Sequence, residues 1–364
     1  MITLDGSQGE GGGALVRVAL ALSTYTGQEF KITNIRAGRE QGGLKAQHLA
    51  AIKALKKICN AETNEVEIGT TELHYKPDKI KSGRYEFDIG TAGSITLFLQ
   101  AIILPSLFAP GKMTFAVKGG TSGKWQASVD YLQQILLPQL KRFVDKIELK
   151  ILKRGYYPEG GGEIVLEIVP FKDRKKTVVP IILTTPGKLE QIKGIINVSA
   201  SLQEQRVAER IRQAAEAGLR KYQVPINIRV EYAQTKSTGG ELLLSAVFSN
   251  NGTIDQINPV ILGGDALLEK GKRSEEVAKE AVEELSQEID GNAAVDHHLA
   301  DQLIPFMALM PGSKIKVREV SPHTQTNIEI VEQFLPVKFE VKDNVIEVKV
   351  LSEDHMNNHF QQSQ

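Results

Sequence analysis

Along this chain, short runs in which apolar and polar residues alternate are interspersed with longer runs whose apolar positions recur every three to four residues. The alternating runs 29–34, 112–118, 147–152, 226–233, 241–248 and 314–320 predict β-strands. The helical-period runs 13–24, 44–59, 128–143, 202–222, 274–289 and 293–310 predict helices. Ser201 with Glu204, and Thr326 with Glu329, have capping-box spacing just ahead of helical runs. They predict one helix start near Ser201 and another near Thr326. Strands and helices alternate, but not in the strict pattern of a doubly wound parallel sheet. The expected fold class is α/β of the α+β type.

Weak internal similarity adds to this picture. Glu10-Gly11-Gly12-Gly13 recurs as Glu159-Gly160-Gly161-Gly162, and Gly90-Thr91-Ala92-Gly93 is echoed by Gly119-Gly120-Thr121. The charged connector Phe171-Lys172-Asp173-Arg174-Lys175-Lys176 precedes a polar α/β stretch that ends near Asp290 and reads as an inserted domain. The residues after about Ser352 form a polar tail.

Composition narrows the function classes. The chain has 364 residues, 41% of them apolar, which is ample for a large core. Lys plus Arg and Asp plus Glu are 44 each, and aromatics make up only 6%. A protein that coats nucleic acid should be basic and rich in stacking residues. Any nucleic-acid contact is therefore expected to be local. Cys59 is the only cysteine, so an intrachain disulfide and a Cys-based metal site are excluded. The N-terminus lacks signal-peptide blocks, and the most apolar run, 95–109, is interrupted by Gln100 and Pro105. No membrane partner is expected, and a reduced cytoplasmic setting is. The acidic stretch 265–296 reads as solvated helix faces.

Five groups of residues suggest chemistry. Arg17 is the one charge in an otherwise apolar helix, so it is expected to be buried and to need a partner. That partner is either Glu10, two turns earlier, or a ligand phosphate near a helix N-terminus. Arg36 and Arg39 sit on a Gly-flexible loop ahead of a helix carrying Gln47 and His48. They suit bidentate phosphate recognition, or form an exposed basic loop. His298, Asp301 and Gln302 share one helix face, either to grip a nucleotide or as solvated surface. Gln100 reads as a satisfied core amide. His323, between a strand and the helix expected near Thr326, is either an ordinary loop histidine or a nucleophile at phosphorus.

Three decoys fall away. The Gly9-x-Gly11-x-x-Ala14 match to a dinucleotide fingerprint lacks the acidic residue on the next strand. No Walker A sequence is present. The tail pair His355 and His359 has metal spacing but no third ligand.

Together the motifs resemble the RNA 3′-terminal phosphate cyclases over nearly the whole chain, from Leu4 to about Val350. The resemblance rests on Asp5-Gly6-Ser7-Gln8-Gly9-Glu10-Gly11-Gly12-Gly13, Ile35-Arg36-Ala37-Gly38-Arg39, Gly155-Tyr156-Tyr157-Pro158-Glu159-Gly160-Gly161-Gly162, His298-Leu299-Ala300-Asp301-Gln302, and His323 followed by Thr326-Asn327. It implies three repeated units of two helices on a four-stranded sheet, with a smaller α/β domain inserted before the third. The corresponding divisions are 1–184 and 291–352 for the main domain, 185–290 for the insert, and 353–364 for the tail.

The resemblance also implies an enzyme that uses ATP, with Mg²⁺ or Mn²⁺, to convert an RNA 3′-phosphate end to a 2′,3′-cyclic phosphate. His323 would carry AMP covalently, and the RNA end would then become RNA-pp-A. Glu10 matches a metal-site residue, and Arg17, Arg36 and Arg39 match phosphate-site residues. Gln47 and His48 match polar residues near the site. Gln100, His298, Leu299, Ala300, Asp301 and Gln302 match the nucleotide pocket. The sequence departs from the family pattern at Ser122-Gly123-Lys124-Trp125-Gln126-Ala127-Ser128, which lacks the usual Pro-rich turn, and no role is carried over there. The alternative is a non-catalytic cyclase-like protein acting in ribosome assembly. That branch lacks the nucleophile, so His323 and the arginines favour the enzyme. A carboxyvinyl transferase of the related repeated-unit fold would not need the His323 motif.

Overall fold

The computed structural model describes residues 1–7, 12–124, 126–173 and 178–351. The first unit runs β1 (Ile2–Asp5), α1 (Ala14–Thr26), β2 (Phe30–Thr33), α2 (Ala46–Cys59), β3 (Glu62–Thr63) and β4 (Leu73–Lys76). The second runs β5 (Gly83–Asp88), α3 (Ile95–Leu107), β6 (Met113–Gly119), α4 (Val129–Tyr131), a π-helical turn Leu132–Leu136, α5 (Leu137–Leu140), β7 (Val144–Lys153) and β8 (Gly162–Pro170). Next comes β9 (Ile182–Leu183). It is followed by β10 (Lys188–Ser199), α6 (Val207–Leu219), β11 (Ile226–Ala233), β12 (Gly240–Ser249), β13 (Ile261–Leu267) and α7 (Ser274–Asp290). The chain closes with α8 (His297–Met307), β14 (Lys314–Lys316), α9 (Pro322–Phe334), β15 (Val337–Lys342) and β16 (Val345–Val350).

Among the described residues there are four four-stranded sheets. Three share one connectivity: β1-β2-β4-β3, β5-β6-β8-β7 and β9-β14-β16-β15. In each, the first two strands are parallel and the remaining pairs are antiparallel. The fourth sheet, β11-β10-β12-β13, is wired differently. It enters the chain after β9, which pairs with β14. The third unit is thus interrupted after its first strand, whereas the sequence reading puts the insertion ahead of the whole unit. Two residues are too short a strand to show a periodicity.

Helix α3 is the centre of the molecule. Eleven of its thirteen residues are buried, because α1 and α2 pack on one side and the β6–β8 sheet on the other. At about 1.5–3 kcal/mol per large apolar side chain, such a helix anchors the core. Ser94 starts it by accepting from the Leu97 amide at 3.0 Å. No helix among the described residues is long and apolar enough to cross a membrane.

Several expected boundaries move, each for a physical reason. The run expected as one helix over 128–143 is broken, because Pro138 lacks an amide hydrogen and the preceding turn widens to the π register. Helix α6 begins only at Val207, since Arg206 has φ of +52°. Ser201 lies in a short 3-10 turn and caps nothing. Thr326 lies inside α9, and Ser321 is the cap. The strand expected over 314–320 ends at Lys316.

Glycine-rich segments meet at one end of the β5–β8 sheet. The Gly120 amide donates to Gly93, and the Thr121 amide to Gly155. A Cβ on Gly160, whose φ is +67°, would fall 2.2 Å from the Thr91 carbonyl oxygen. This packing seats the loop that follows Thr121.

The same loop joins the second unit to the fourth sheet. The Ser122 hydroxyl donates to Oε2 of fully buried Glu241 on β12, whose Oε1 has no hydrogen-bond partner within normal distance among the described residues. Nearby, buried Arg154 bridges Asp130 and Glu231. Burial, then Asp130 and Asp265, push the Glu241 carboxyl up to about 8 from its ordinary value of 4.5. The folded protein therefore holds a proton that the unfolded chain releases. That contribution is fully present below the unfolded value, and it is lost as pH rises to about 8. Glu241→Gln is expected to flatten this pH dependence and to be more stable than wild type above pH 8, by roughly 1–3 kcal/mol. Urea unfolding at pH 5, 7 and 9 reads this out.

Candidate active site

Helical spacing builds one cavity from parts of the chain that are far apart in sequence. Its volume is about 290 Å³, near the lower end of small-molecule pockets of about 300–1,000 Å³. Helix α1 contributes Ala14, Arg17, Val18 and Ala21, which share one face. Helix α3 contributes Thr96, Leu97, Gln100, Ile103 and Leu104, and the divergent loop adds Gln126 and Ala127. His298, Asp301, Gln302, Pro305 and Phe306 come from α8, and His323 and Asn327 from α9. Leu132 and Leu136 complete the apolar wall.

Arg17 is half-buried and donates its Nε hydrogen to Gln100 Oε1 at 2.7 Å. Gln100 is thus both a satisfied amide and part of the wall. Among the described residues Arg17 makes no ion pair; Glu10, the metal-site candidate, lies outside them, as do His355 and His359. Burial, then the positive charge of Arg36, pull the Arg17 guanidinium down to about 10.

Behind Arg17 stands His48. A Cβ on Gly13 would lie 2.5 Å from His48 Nε2 and 2.9 Å from an Arg17 terminal nitrogen, so only glycine lets the three meet. Burial, then Arg17, Arg36 and Lys45, drive His48 down to about 3, so the ring is neutral at physiological pH. Its Nδ1 accepts from the Lys45 amide at 3.0 Å. His48 supports the start of α1 and does not line the cavity. Arg36, with φ of +58°, donates to the Gln41 carbonyl at 2.7 Å. Arg36, Arg39 and Gln47 also lie outside the wall. The two arginines contribute to a positive field beside it rather than contacts within it.

His323 occupies the first turn of α9, not a loop. Ser321 accepts from the Thr324 amide at 2.9 Å, and Pro322 takes the first helical position, where a missing amide hydrogen costs nothing. The Ser-Pro pair was the signal that could have located this start. Placing it near Thr326 hides the helix face shared by His323 and Asn327. The side chain of His323 is exposed at the cavity mouth, at the positive end of the α9 dipole.

Asp301 fixes that position. Its Oδ1 accepts from Ser321 at 2.6 Å and from the Thr324 hydroxyl at 2.5 Å. Its backbone carbonyl accepts from Asn327 Nδ2 at 2.8 Å. One residue on α8 therefore clamps the whole first turn of α9. Asp301→Ala is expected to lose about 1–3 kcal/mol of stability, since it strands two hydroxyls. It should also lower any reaction at His323 by roughly 10²-fold through misplacement. Asp301→Asn keeps an acceptor and should retain most of both. Thermal melts and rates of covalent labelling measured side by side check this.

Leu299 and Ala300, expected in the nucleotide pocket, are core residues exposed by at most 1% and absent from the wall. On a helix they face away from His298, Asp301 and Gln302. The divergent loop, to which no role was carried over, supplies Gln126. Gln126 Oε1 and Asn327 Oδ1, which have no hydrogen-bond partner among the described residues, both belong to residues of the wall.

The acidic stretch is also not a solvated face throughout. Asp296 is fully buried, caps α8 through the Leu299 amide and accepts from Tyr131. Asp265 is pushed up to about 7 by burial and then Glu284. For His298, burial works downward, but Glu284, Asp265 and Asp296 outweigh it and raise the ring to about 9.

Comparison with known proteins agrees with the sequence pattern. The RNA 3′-terminal phosphate cyclase family profile matches residues 8–341. A protein of Pyrococcus furiosus named RNA 3′-terminal phosphate cyclase is 41% identical over 346 residues, covering 95% of this chain and 96% of its own. Proteins of the same name from Methanosarcina mazei and Archaeoglobus fulgidus are each 40% identical. They cover 94% and 93% of this chain and 97% and 98% of their own. With a match of that extent on both sides, the chain belongs to the RNA 3′-terminal phosphate cyclase family.

Proposed function

We propose that this protein converts an RNA 3′-terminal phosphate to a 2′,3′-cyclic phosphate, with ATP as co-substrate. The observation that carries the reading is one cavity with His323 at its mouth and, in its wall, a half-buried Arg17 that pairs with no carboxylate among the described residues. A neutral imidazole nitrogen attacks the α-phosphorus of ATP; an N–P bond forms and pyrophosphate leaves. An oxygen of the RNA 3′-phosphate then attacks the same phosphorus, the imidazole departs, and the end becomes RNA-pp-A. Finally the neighbouring 2′-oxygen attacks the RNA phosphorus, its proton goes to solvent, and AMP leaves. This last step is intramolecular, so alignment lowers much of its barrier.

The roles follow from position. Arg17, oriented by Gln100, offers a guanidinium to phosphate oxygens, with Arg36 and Arg39 adding positive field from outside the wall. The apolar wall of α3 and the π turn suits a base, and His298 and Gln302 supply polar edges to it. Asp301 holds His323. Family resemblance assigns Glu10 to a divalent cation, Mg²⁺ or Mn²⁺, which when bound offsets triphosphate charge. The proposed setting is the cytoplasm.

The test compares an RNA ending in a 3′-phosphate with the same RNA ending in a 3′-hydroxyl, each with ATP and Mg²⁺. Only the phosphate end should be consumed, one AMP appearing per cyclic end formed. Equal consumption of both ends defeats the reading.

A further inference from the structure

Between α7 and α8 the acidic stretch brings carboxylates against adjacent imidazoles. Glu284 Oε1 lies 3.5 Å from His297 Nε2 and 3.4 Å from His298 Nε2. The three ligand atoms all fall within 4.8 Å of one another. With bonds of about 2.0–2.1 Å, two ligands of a tetrahedral zinc ion stand about 3.4 Å apart. Both Glu–His separations therefore match tetrahedral edges without rearrangement.

The surroundings are those of a supported site. Glu284 Oε2 accepts from the Asp265 amide at 2.6 Å, which fixes the direction of the carboxylate. His297 turns its other nitrogen, Nδ1, to Glu288 Oε1 at 3.0 Å. A carboxylate behind an imidazole orients and strengthens a metal-binding histidine. Glu288 is 1% exposed and its Oε1 also lies 3.7 Å from Arg318 Nε, so the carboxylate behind the imidazole is held from both sides.

We infer that Glu284, His297 and His298 form a binding site for a zinc-class divalent transition metal, with a solvent molecule as fourth ligand. Two imidazoles and one carboxylate favour such an ion over Mg²⁺, which prefers six oxygens. This site is separate from the Mg²⁺ or Mn²⁺ position assigned to Glu10. The bound ion would tie α7 to the start of α8 and hold His298 at the cavity wall.

The test uses chelator-treated full-length protein and Co²⁺ as a spectroscopic probe, in the presence of excess Mg²⁺. Wild type is expected to take up one Co²⁺ with the visible absorption of a four-coordinate site, and one equivalent of Zn²⁺ should abolish the signal. Glu288→Gln should weaken binding by roughly 10–100-fold. Glu284→Ala and His297→Ala should each weaken it further. Circular dichroism checks that the variants fold, and Glu288→Gln serves as the conservative probe if a ligand variant does not. The inference is overturned if wild type gives no such signal, as expected for histidines merely ion-paired to carboxylates. It is equally overturned if the folded variants bind like wild type, or if the signal is lost only on removing His355 and His359.

Discussion

His323→Ala is expected to abolish covalent labelling of the protein by ATP carrying a radioactive α-phosphate, with at least about a 10⁴-fold loss of RNA-end cyclisation. The expected wild-type adduct is acid-labile and alkali-stable, as befits a phosphoramidate. The variant should remain folded, because His323 is exposed and the contacts that start α9 belong to its neighbours. Surface substitutions of this kind shift stability by about 0.5 kcal/mol or less. A melting temperature close to wild type, combined with no adduct, separates lost chemistry from lost structure. An adduct that survives the substitution sinks the nucleophile assignment.

Arg17→Met is expected to move stability and activity in opposite directions. The guanidinium is half-buried, donates to Gln100, pairs with no carboxylate among the described residues, and is drawn down to about 10 by burial and Arg36. A partly desolvated charge in this state costs free energy that an apolar side chain of similar length does not. The variant should therefore gain about 1–3 kcal/mol in urea unfolding without nucleotide. Adenylylation should fall by roughly 10²–10³-fold if, as proposed, the Arg17 charge binds phosphate at the cavity wall. Nucleotide should stabilise wild type far more than the variant, which a thermal shift series with ATP measures directly. A loss of stability without nucleotide would mean that Arg17 is a structural ion pair, with Glu10 the obvious partner.

The strands on β2, β6, β7, β11 and β12 were legible because each buries one face or lies wholly inside, which leaves a period or a continuous apolar run. Strands as short as β3 and β9 leave no such trace. Arg17 was legible as a charge withdrawn from solvent because its helix is apolar on nearly every side, and it is half-buried in the cavity wall. Asn327, Gln126 and the Glu284–His297–His298 cluster were not. Their partners lie on other elements, and one sequence carries no record of which helices meet. The acidic stretch shows this best: Glu283 and Glu284 are neighbours, yet one is exposed and the other bonds two histidines.

By itself the sequence determined the fold class and the family, and it offered the candidate residues for phosphate chemistry. Local spacing and ordered motifs encode those things directly. Tertiary structure decided which residues act together. It placed Arg17, Gln100, His298, Asp301 and His323 around one cavity and left Arg36, Arg39, Gln47 and His48 behind or beside it. It sent Leu299 and Ala300 to the core. It also turned His323 from a loop residue into the clamped first turn of a helix. Juxtaposition depends on packing among α1, α3, α8 and α9, and that packing comes from the summed burial of many side chains, which no short motif contains.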